Sequence, residues 1–369
     1  MLPTTISSFD GKESMILNEN PTAGGPADLM ERYGAVLEES RFSWINSHRM
    51  VRRIGSGGQG VVYLCERLGS DQFTLPVAVK VFSPERYEDA PAYDYGMAHM
   101  ARVAVRVAQI QQDNLIDVHN FVEFNRIRLM EMEFIDGYDL YHLLTPAMLK
   151  RCRELVQDER WDYLNNVIVT AGPAQPRLKP GVAIAVLRDC LAALSALHRE
   201  GIIHGDVKPS NIMLKRTGNA KLVDIGAAFE MQQGPRMRTF TPTYAAPEVL
   251  EGTDGSSQSD LASLGYVLVE LLAGKPLFPD LRKRDEFLIA KTTFSDRLHE
   301  ILPDDVLCND LLMSLIRGLV AADPRDRFPS AEAADLVEQG AASFHRQLVK
   351  SNLSSEYDNE IRVWLGELE

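Results

Sequence analysis

The sequence predicts an α+β chain built as two lobes, a small five-stranded sheet lobe followed by a larger helical one. Three observations predict it. Five short apolar runs separated by turn residues occupy residues 50–134. Beyond Asp136-Gly137 the patterns become helical. A chain of 369 residues that is 45% hydrophobic can bury one large core or two joined lobes.

In chain order, residues 1–28 are rich in Ser, Thr, Gly, Pro and Asn without sustained periodicity and read as a flexible arm. Residues 29–47 form an extension with room for a short helix, and Trp44 and Ile45 are available there to cover an apolar edge. The sheet lobe spans 48–136. Met50–Ile54 and Val61–Leu64 read as strands joined by a glycine turn over Gly55–Gly60. Phe73–Val81 is the third strand, its start weakened by Pro76, which cannot donate to a ladder. Met97, Met100, Val103, Val107 and Ile110 recur at spacings of three or four and mark one buried face of a helix over 95–111. Phe121–Phe124 and Arg128–Phe134 complete the sheet.

The helical lobe spans 137–349. Its clearest helices are Val182–His198, Leu261–Leu272, Leu311–Leu319 and Ala331–Leu348. Residues 143–180 interrupt it with a partly helical insertion containing Trp161, Tyr163 and a turn-rich Gly172–Pro176 stretch. In the tail, 350–369, Tyr357, Ile361, Val363, Trp364 and Leu365 read as a short helix folded onto the core, in preference to a partner-docking motif.

Charge and cysteine usage narrow the function. A net charge of −13, from 52 acidic and 39 basic residues, argues against nucleic acid or anionic lipid as a partner. Cys65, Cys152, Cys190 and Cys308 are far apart, without metal-ligand spacing or a disulfide framework, as suits a reducing compartment. No run of 18 apolar residues and no secretory signal is present, so the expectation is a cytoplasmic protein with no membrane-spanning segment.

The chemistry is concentrated in four places. Gly55, Gly57 and Gly60 form a GxGxxG pattern, which a dinucleotide site would follow with a helix; here a strand follows. A glycine turn between strands can drape backbone N–H groups over phosphates, although the same residues also suit a plain flexible hairpin. Lys80 ends the alternating Val77–Lys80 segment, from which its ammonium can reach phosphates while Ala78 lines the adenine side. Asp206, Lys208 and Asn211 lie within six residues, so one irregular loop can bring together a base, a phosphate-neutralising cation and a metal-binding amide. Asp224 follows the apolar run Leu222-Val223, where a carboxylate can hold Mg²⁺ against phosphate oxygens with Asn211 completing the oxygen donors.

With these residues in hand, the chain resembles the eukaryotic-type Ser/Thr protein kinase family, in its bacterial representatives, over residues 48–348 apart from the insertion. The resemblance implies a protein-kinase-like fold with ATP between the lobes. Gly55–Gly60 matches the family's glycine loop, Lys80 its ATP-orienting lysine, His204–Asn211 its catalytic loop, Asp224-Ile225-Gly226 its metal-binding segment, and Ala246-Pro247-Glu248 the end of its activation segment. It further implies a hinge at Glu133 and Ile135 with Met132 as gatekeeper, and an adenine sandwich of Val62, Ala78 and Met213. Asp260 would brace the catalytic loop, Glu248 would pair with Arg327, and Val107, Ile225 and His204 would stack between the lobes. Thr241–Tyr244 resembles the peptide platform, with Thr241 meeting Asp206 and Lys208. The implied activity is Mg²⁺-dependent transfer of the γ-phosphoryl group of ATP to Ser or Thr of a protein substrate.

Three departures stand against the pattern. The family's helix glutamate falls near Val103, and residues 95–112 contain no Asp or Glu; Asp94, Glu88 or Glu85 would have to approach Lys80 from outside the register. Weak or conditional catalysis is therefore expected in preference to none. Gly205 replaces the arginine that gathers a phosphorylated activation segment in many relatives, so full dependence on such phosphorylation is not expected. Ile225 replaces a phenylalanine and remains an apolar plug. Arg236, Arg238 and Thr239 mark a candidate autophosphorylation site or a contact for an acidic regulator. The competing reading is a pseudokinase, a nucleotide-binding scaffold that grips a regulatory partner through its insertion or termini.

Overall fold

The chain was built as a computed structural model that describes residues 26–38, 41–43, 47–231, 240–350 and 357–368. Trp44, Ile45, Arg236, Arg238 and Thr239 lie outside the described residues.

A twisted antiparallel sheet forms the first lobe. Its strands are β1 (Arg41–Ser43), β2 (Ser47–Gly57), β3 (Gly60–Leu68), β4 (Thr74–Phe82), β5 (Val118–Phe124) and β6 (Ile127–Glu133), in spatial order β1-β2-β3-β4-β6-β5. The expected five strands are all present, and β1, from the extension, adds a sixth at the edge beside β2. The extension also supplies helix α1 (Pro26–Glu38), which starts inside the stretch read as a flexible arm and buries Leu29 and Val36. Strand β2 runs on through Gly57 and β3 begins at Gly60, so the glycine turn narrows to Gly58-Gln59. Pro76 is tolerated because it faces Glu66 on β3, whereas the ladder from β4 to β6 begins at Val77.

Helix α2 (Ala90–Val107) begins five residues before the periodicity predicts. Asp89 caps it, its carboxylate accepting the Ala92 N–H at 2.7 Å, and Pro91 fits the first turn. Met97, Met100, Val103 and Val107 form its buried face as expected.

The second lobe is helical. Its central members are Pro180–Arg199, Ser257–Ala273 and Asp310–Val320; Ser257–Ala273 packs against both of the others, in a core that includes Leu194, Leu264 and Ile316. Among the described residues, Pro180–Arg199 is the one helix long and apolar enough to cross a membrane, and 72% of its most apolar stretch is buried inside this lobe. The helix expected over Ala331–Leu348 is two, Ala331–Leu336 and Ala341–Lys350. The break falls at Gly340, where an added Cβ would stand 2.6 Å from the Asp335 carbonyl oxygen, a closeness only glycine permits.

The insertion is ordered into two helices, Pro146–Leu155 and Asp158–Val167, and a two-stranded ribbon, Val169–Thr170 with Arg177–Leu178. The tail helix, Tyr357–Gly366, lies on Pro180–Arg199 with Tyr357, Ile361, Trp364 and Leu365 buried. Insertion and tail meet: Arg160 reaches Glu367 at 2.7 Å and Glu360 at 3.7 Å.

Candidate active site

Antiparallel register puts the nucleotide-side candidates on one face of the sheet. Val62 lies opposite Lys80, and Ala78 lies opposite Met132. Residues directly opposite, and residues two apart on one strand, share a face, so Val62, Ala78, Lys80 and Met132 line the same side. Gly60 brings the glycine turn down onto β4: its φ is +142°, and a Cβ would stand 2.0 Å from the Val81 carbonyl oxygen. Gly55 and Gly57 flank this turn within β2. The hinge candidates lie at the end of β6 and just past it. The Glu133 N–H donates to the Asp117 carbonyl at 3.0 Å, and its carboxylate pairs with Lys221. Ile135 is buried, and Met213 sits on the short strand Ile212–Lys215 beneath the hinge.

Across the cleft, Lys80 meets Asp224. Their Nζ–Oδ1 separation is 2.5 Å, although 144 residues part them in sequence. Asp224 holds a left-handed backbone, φ 58° and ψ 78°, and its Oδ1 also accepts the Gly226 N–H at 3.0 Å. Burial opposes ionisation of this carboxyl, but the Lys80 charge and hydrogen bond outweigh burial and hold it below the usual carboxylate range.

The catalytic-loop candidates converge on a single hydroxyl. Asp206 Oδ1 accepts the Thr241 hydroxyl at 2.7 Å and its N–H at 3.1 Å, while Asp206 Oδ2 takes Lys208 Nζ at 2.6 Å. Lys208 also donates to Thr241 Oγ1 at 3.0 Å. Asn211 donates through Nδ2 to the Asp206 carbonyl at 2.8 Å. Nδ2 also lies 3.5 Å from Asp206 Oδ2, so the amide's donor side faces Asp206 and Oδ1 is left as an oxygen donor, while Asp224 Oδ2 carries neither of the bonds made by Oδ1. A carboxylate oxygen and an amide oxygen are the hard donors that suit Mg²⁺.

Supporting contacts fix the loop. Asp260 accepts the N–H groups of His204 and Gly205 at 2.9 Å each and takes His198 Nε2 at 2.9 Å. Burial would raise its pKa, yet His198 and these N–H groups hold it below the usual range. His204 donates from Nε2 to the Val223 carbonyl at 3.1 Å, and its Nδ1 accepts the Asp206 N–H at 3.3 Å. Val107, His204 and Ile225 are all buried. Glu248 and Arg327 form a bidentate pair at 2.7 and 2.8 Å, a geometry that Lys could not reproduce.

The helix acid is missing in space as well as in sequence. Val103 is fully buried on α2, and Asp94 is taken by Arg126 and Arg128 at 3.2 and 2.9 Å. Lys80 instead bonds Gln59 of the glycine turn, Nζ to Oε1 at 2.7 Å. Sequence reasoning missed Gln59, although its place inside the glycine pattern was the available signal. It also missed Lys291 and Phe229. Lys291, fully buried, donates to the carbonyls of Pro242 at 2.9 Å and Ala245 at 2.5 Å, and its ammonium lies 4.4 Å from the Tyr266 ring centroid. No motif marks it.

Comparison with known proteins agrees with this geometry. The sequence profile of the protein kinase domain family matches residues 48–337. The chain is similar to the serine/threonine-protein kinase PknD of Mycobacterium tuberculosis, 29% identical over 325 residues, covering 86% of this chain and 43% of the relative. It is similar to PknH of Mycobacterium bovis, 28% identical over 311 residues, with 82% and 45% covered. The serine/threonine-protein kinase max-2 of Caenorhabditis elegans is 25% identical over 282 residues, with 70% and 37% covered. The chain thus spans about two fifths of the length of the curated relatives it matches.

Proposed function

The chain belongs to the protein kinase domain family, and we propose that it transfers the γ-phosphoryl group of ATP to Ser or Thr of protein substrates. The observation that carries this reading is the meeting of Lys80 with Asp224 beside a carboxylate, Asp206, that already holds a hydroxyl at 2.7 Å. In this reading the glycine turn and Lys80 hold the triphosphate, and Val62, Ala78, Met132 and Met213 enclose the adenine against the Glu133–Ile135 hinge. Asp224 and Asn211 would hold Mg²⁺, which supplies charge neutralisation at the phosphate oxygens when bound. Asp206 orients the acceptor hydroxyl and takes its proton as the phosphoryl group departs, while Lys208 neutralises the transferred oxygens. Catalysis of this kind rests on positioning and electrostatics.

The same proposal takes residues 48–136 and 137–349 as the two kinase lobes and a cytoplasmic setting, which four free cysteines, three of them buried, support. The test is transfer of labelled γ-phosphate to a protein acceptor by the purified chain, with D206N and D224N alongside. Transfer that both variants lose by at least about a hundredfold supports the assignment; transfer that persists in either one overturns it.

A scaffold reading, in which the chain binds nucleotide and a regulatory protein without catalysis, draws on the apolar Val103 where an acid would anchor Lys80. Nucleotide binding without transfer, with Mg²⁺ or Mn²⁺ supplied, would favour it.

A further inference from the structure

Lys80 is an ammonium with 4% of its surface exposed, and charge so deeply placed demands acceptors. It has two, Asp224 Oδ1 at 2.5 Å and Gln59 Oε1 at 2.7 Å. The face of α2 beneath the sheet offers it none, being built from Met100, Val103 and Ala104.

The contact with Gln59 is built into the chain at a second place. A Cβ on Gly226 would stand 1.8 Å from Gln59 Oε1 and 2.8 Å from Lys80 Nζ. The Gln59 amide and the lysine head thus occupy the space that a side chain at 226 would take. The Gln59 main chain is tied in as well, its carbonyl accepting the Ser83 N–H at 3.0 Å just past β4.

We propose that Gln59 is the positioning residue for Lys80, doing from the glycine turn what no acid does from α2. The inference rests on the reading of Lys80 and Asp224 as nucleotide and metal residues. Asp224 has two claimants under that reading, Lys80 and Mg²⁺. Were that carboxylate to serve Mg²⁺, Gln59 would remain as the lysine's acceptor. The side-chain oxygen at this reach fixes where the ammonium stands.

The Mg²⁺ dependence of nucleotide affinity separates this role from a packing role. Dissociation constants for a fluorescent ATP analogue are measured with Mg²⁺ and with EDTA, on wild type, Q59A and Q59E, with thermal melting as the check on folding. Q59A is expected to weaken binding about tenfold with Mg²⁺ and less than about threefold in EDTA, and Q59E, which restores an oxygen at the same reach, to recover most of the loss. The proposal is overturned if folded Q59A binds as tightly as wild type or more tightly, which would make Gln59 an obstruction. It also falls if the loss is the same with and without Mg²⁺, or if Q59E recovers nothing. Wild type that binds no nucleotide defeats the parent reading and this inference together, whereas wild-type binding with an unaffected Q59A defeats the inference alone.

Discussion

The ring of Phe229 lies against the bare Cα of Gly205: a Cβ built there would stand 3.3 Å from Phe229 Cε1 and 2.9 Å from the Ala227 carbonyl oxygen. Gly205 has φ +77°, a left-handed conformation that glycine adopts without strain. Gly255, just before the helix Ser257–Ala273, crowds the same ring, and a Cβ there would lie 3.2 Å from Cζ. An apolar wedge thus occupies the place where the family resemblance leads one to expect an arginine. The expected outcome is phosphoryl transfer that survives phosphatase treatment within about twofold, whereas F229A loses about 3–5 kcal/mol of stability, the usual cost of emptying a buried aromatic site. Activity assays before and after dephosphorylation and urea unfolding of F229A check both halves.

Lys291 shapes the platform from below. Burial pushes its pKa well below the usual lysine value, while the Pro242 and Ala245 carbonyls and the Tyr266, Phe278 and Phe287 rings surround its ammonium. Replacing it with methionine keeps the volume and removes both hydrogen bonds. K291M is expected to raise the KM for a peptide acceptor by about tenfold, in line with losing two buried hydrogen bonds, and to leave the KM for ATP within about twofold. Steady-state kinetics with each substrate varied in turn decide it.

Breaking the Glu248–Arg327 pair strands a buried guanidinium. Burial alone would raise the Glu248 pKa, but Arg327, with Ser259 donating at 2.7 Å, holds this carboxyl below its ordinary value. E248A is expected to cost about 3–5 kcal/mol, and R327K to recover only part of an R327A loss because an ammonium cannot make the two parallel bonds. Denaturant unfolding of the three variants reads this directly.

Asp189 gives the stability a pH signature. Burial, aided by Asp358, pushes its pKa up to about 6 against the opposing hydrogen bond from the Ala220 N–H, 2.6 Å away. A carboxyl raised in the folded state favours folding below its unfolded pKa, and that contribution is lost as pH rises through about 6. Asparagine at this position accepts the same N–H and does not titrate. D189N should therefore gain on wild type by about 2 kcal/mol between pH 4.5 and pH 7.5, as urea unfolding at the two pH values would report.

Much of the molecule was legible because its residues announce themselves by local pattern. Alternation in Val77–Lys80 located β4, and the spacing of Met97, Met100 and Val103 located α2. Asp206, Lys208 and Asn211 are close in sequence, and hydrogen bonds join them in the fold. What stayed hidden depends on distance through space. Gln59 finds Lys80 only because a hairpin folds it beneath the sheet, and Lys291 finds Pro242 from 49 residues away. Strand β1 is three residues long, too short to show a period. The single helix expected over Ala331–Leu348 ignored Gly340, whose closeness to the Asp335 carbonyl belongs to tertiary packing.

The tail helix sets where this polypeptide can be cut. Tyr357 rests directly on Gly181, where a Cβ would meet its Oη at 2.1 Å, and the Asp358 carbonyl sits 1.8 Å from the position a Cβ would take on Gly218. Two glycines are thus hollowed out to receive residues that lie 20 or more positions past the end of the family match at 337. Excising the family-matched stretch alone would leave that seat vacant and the insertion's Arg160 without Glu360 and Glu367. The packed unit is therefore larger than the stretch that matches the family profile, and a recombinant fragment or chimaera that keeps these contacts carries the chain through Leu368.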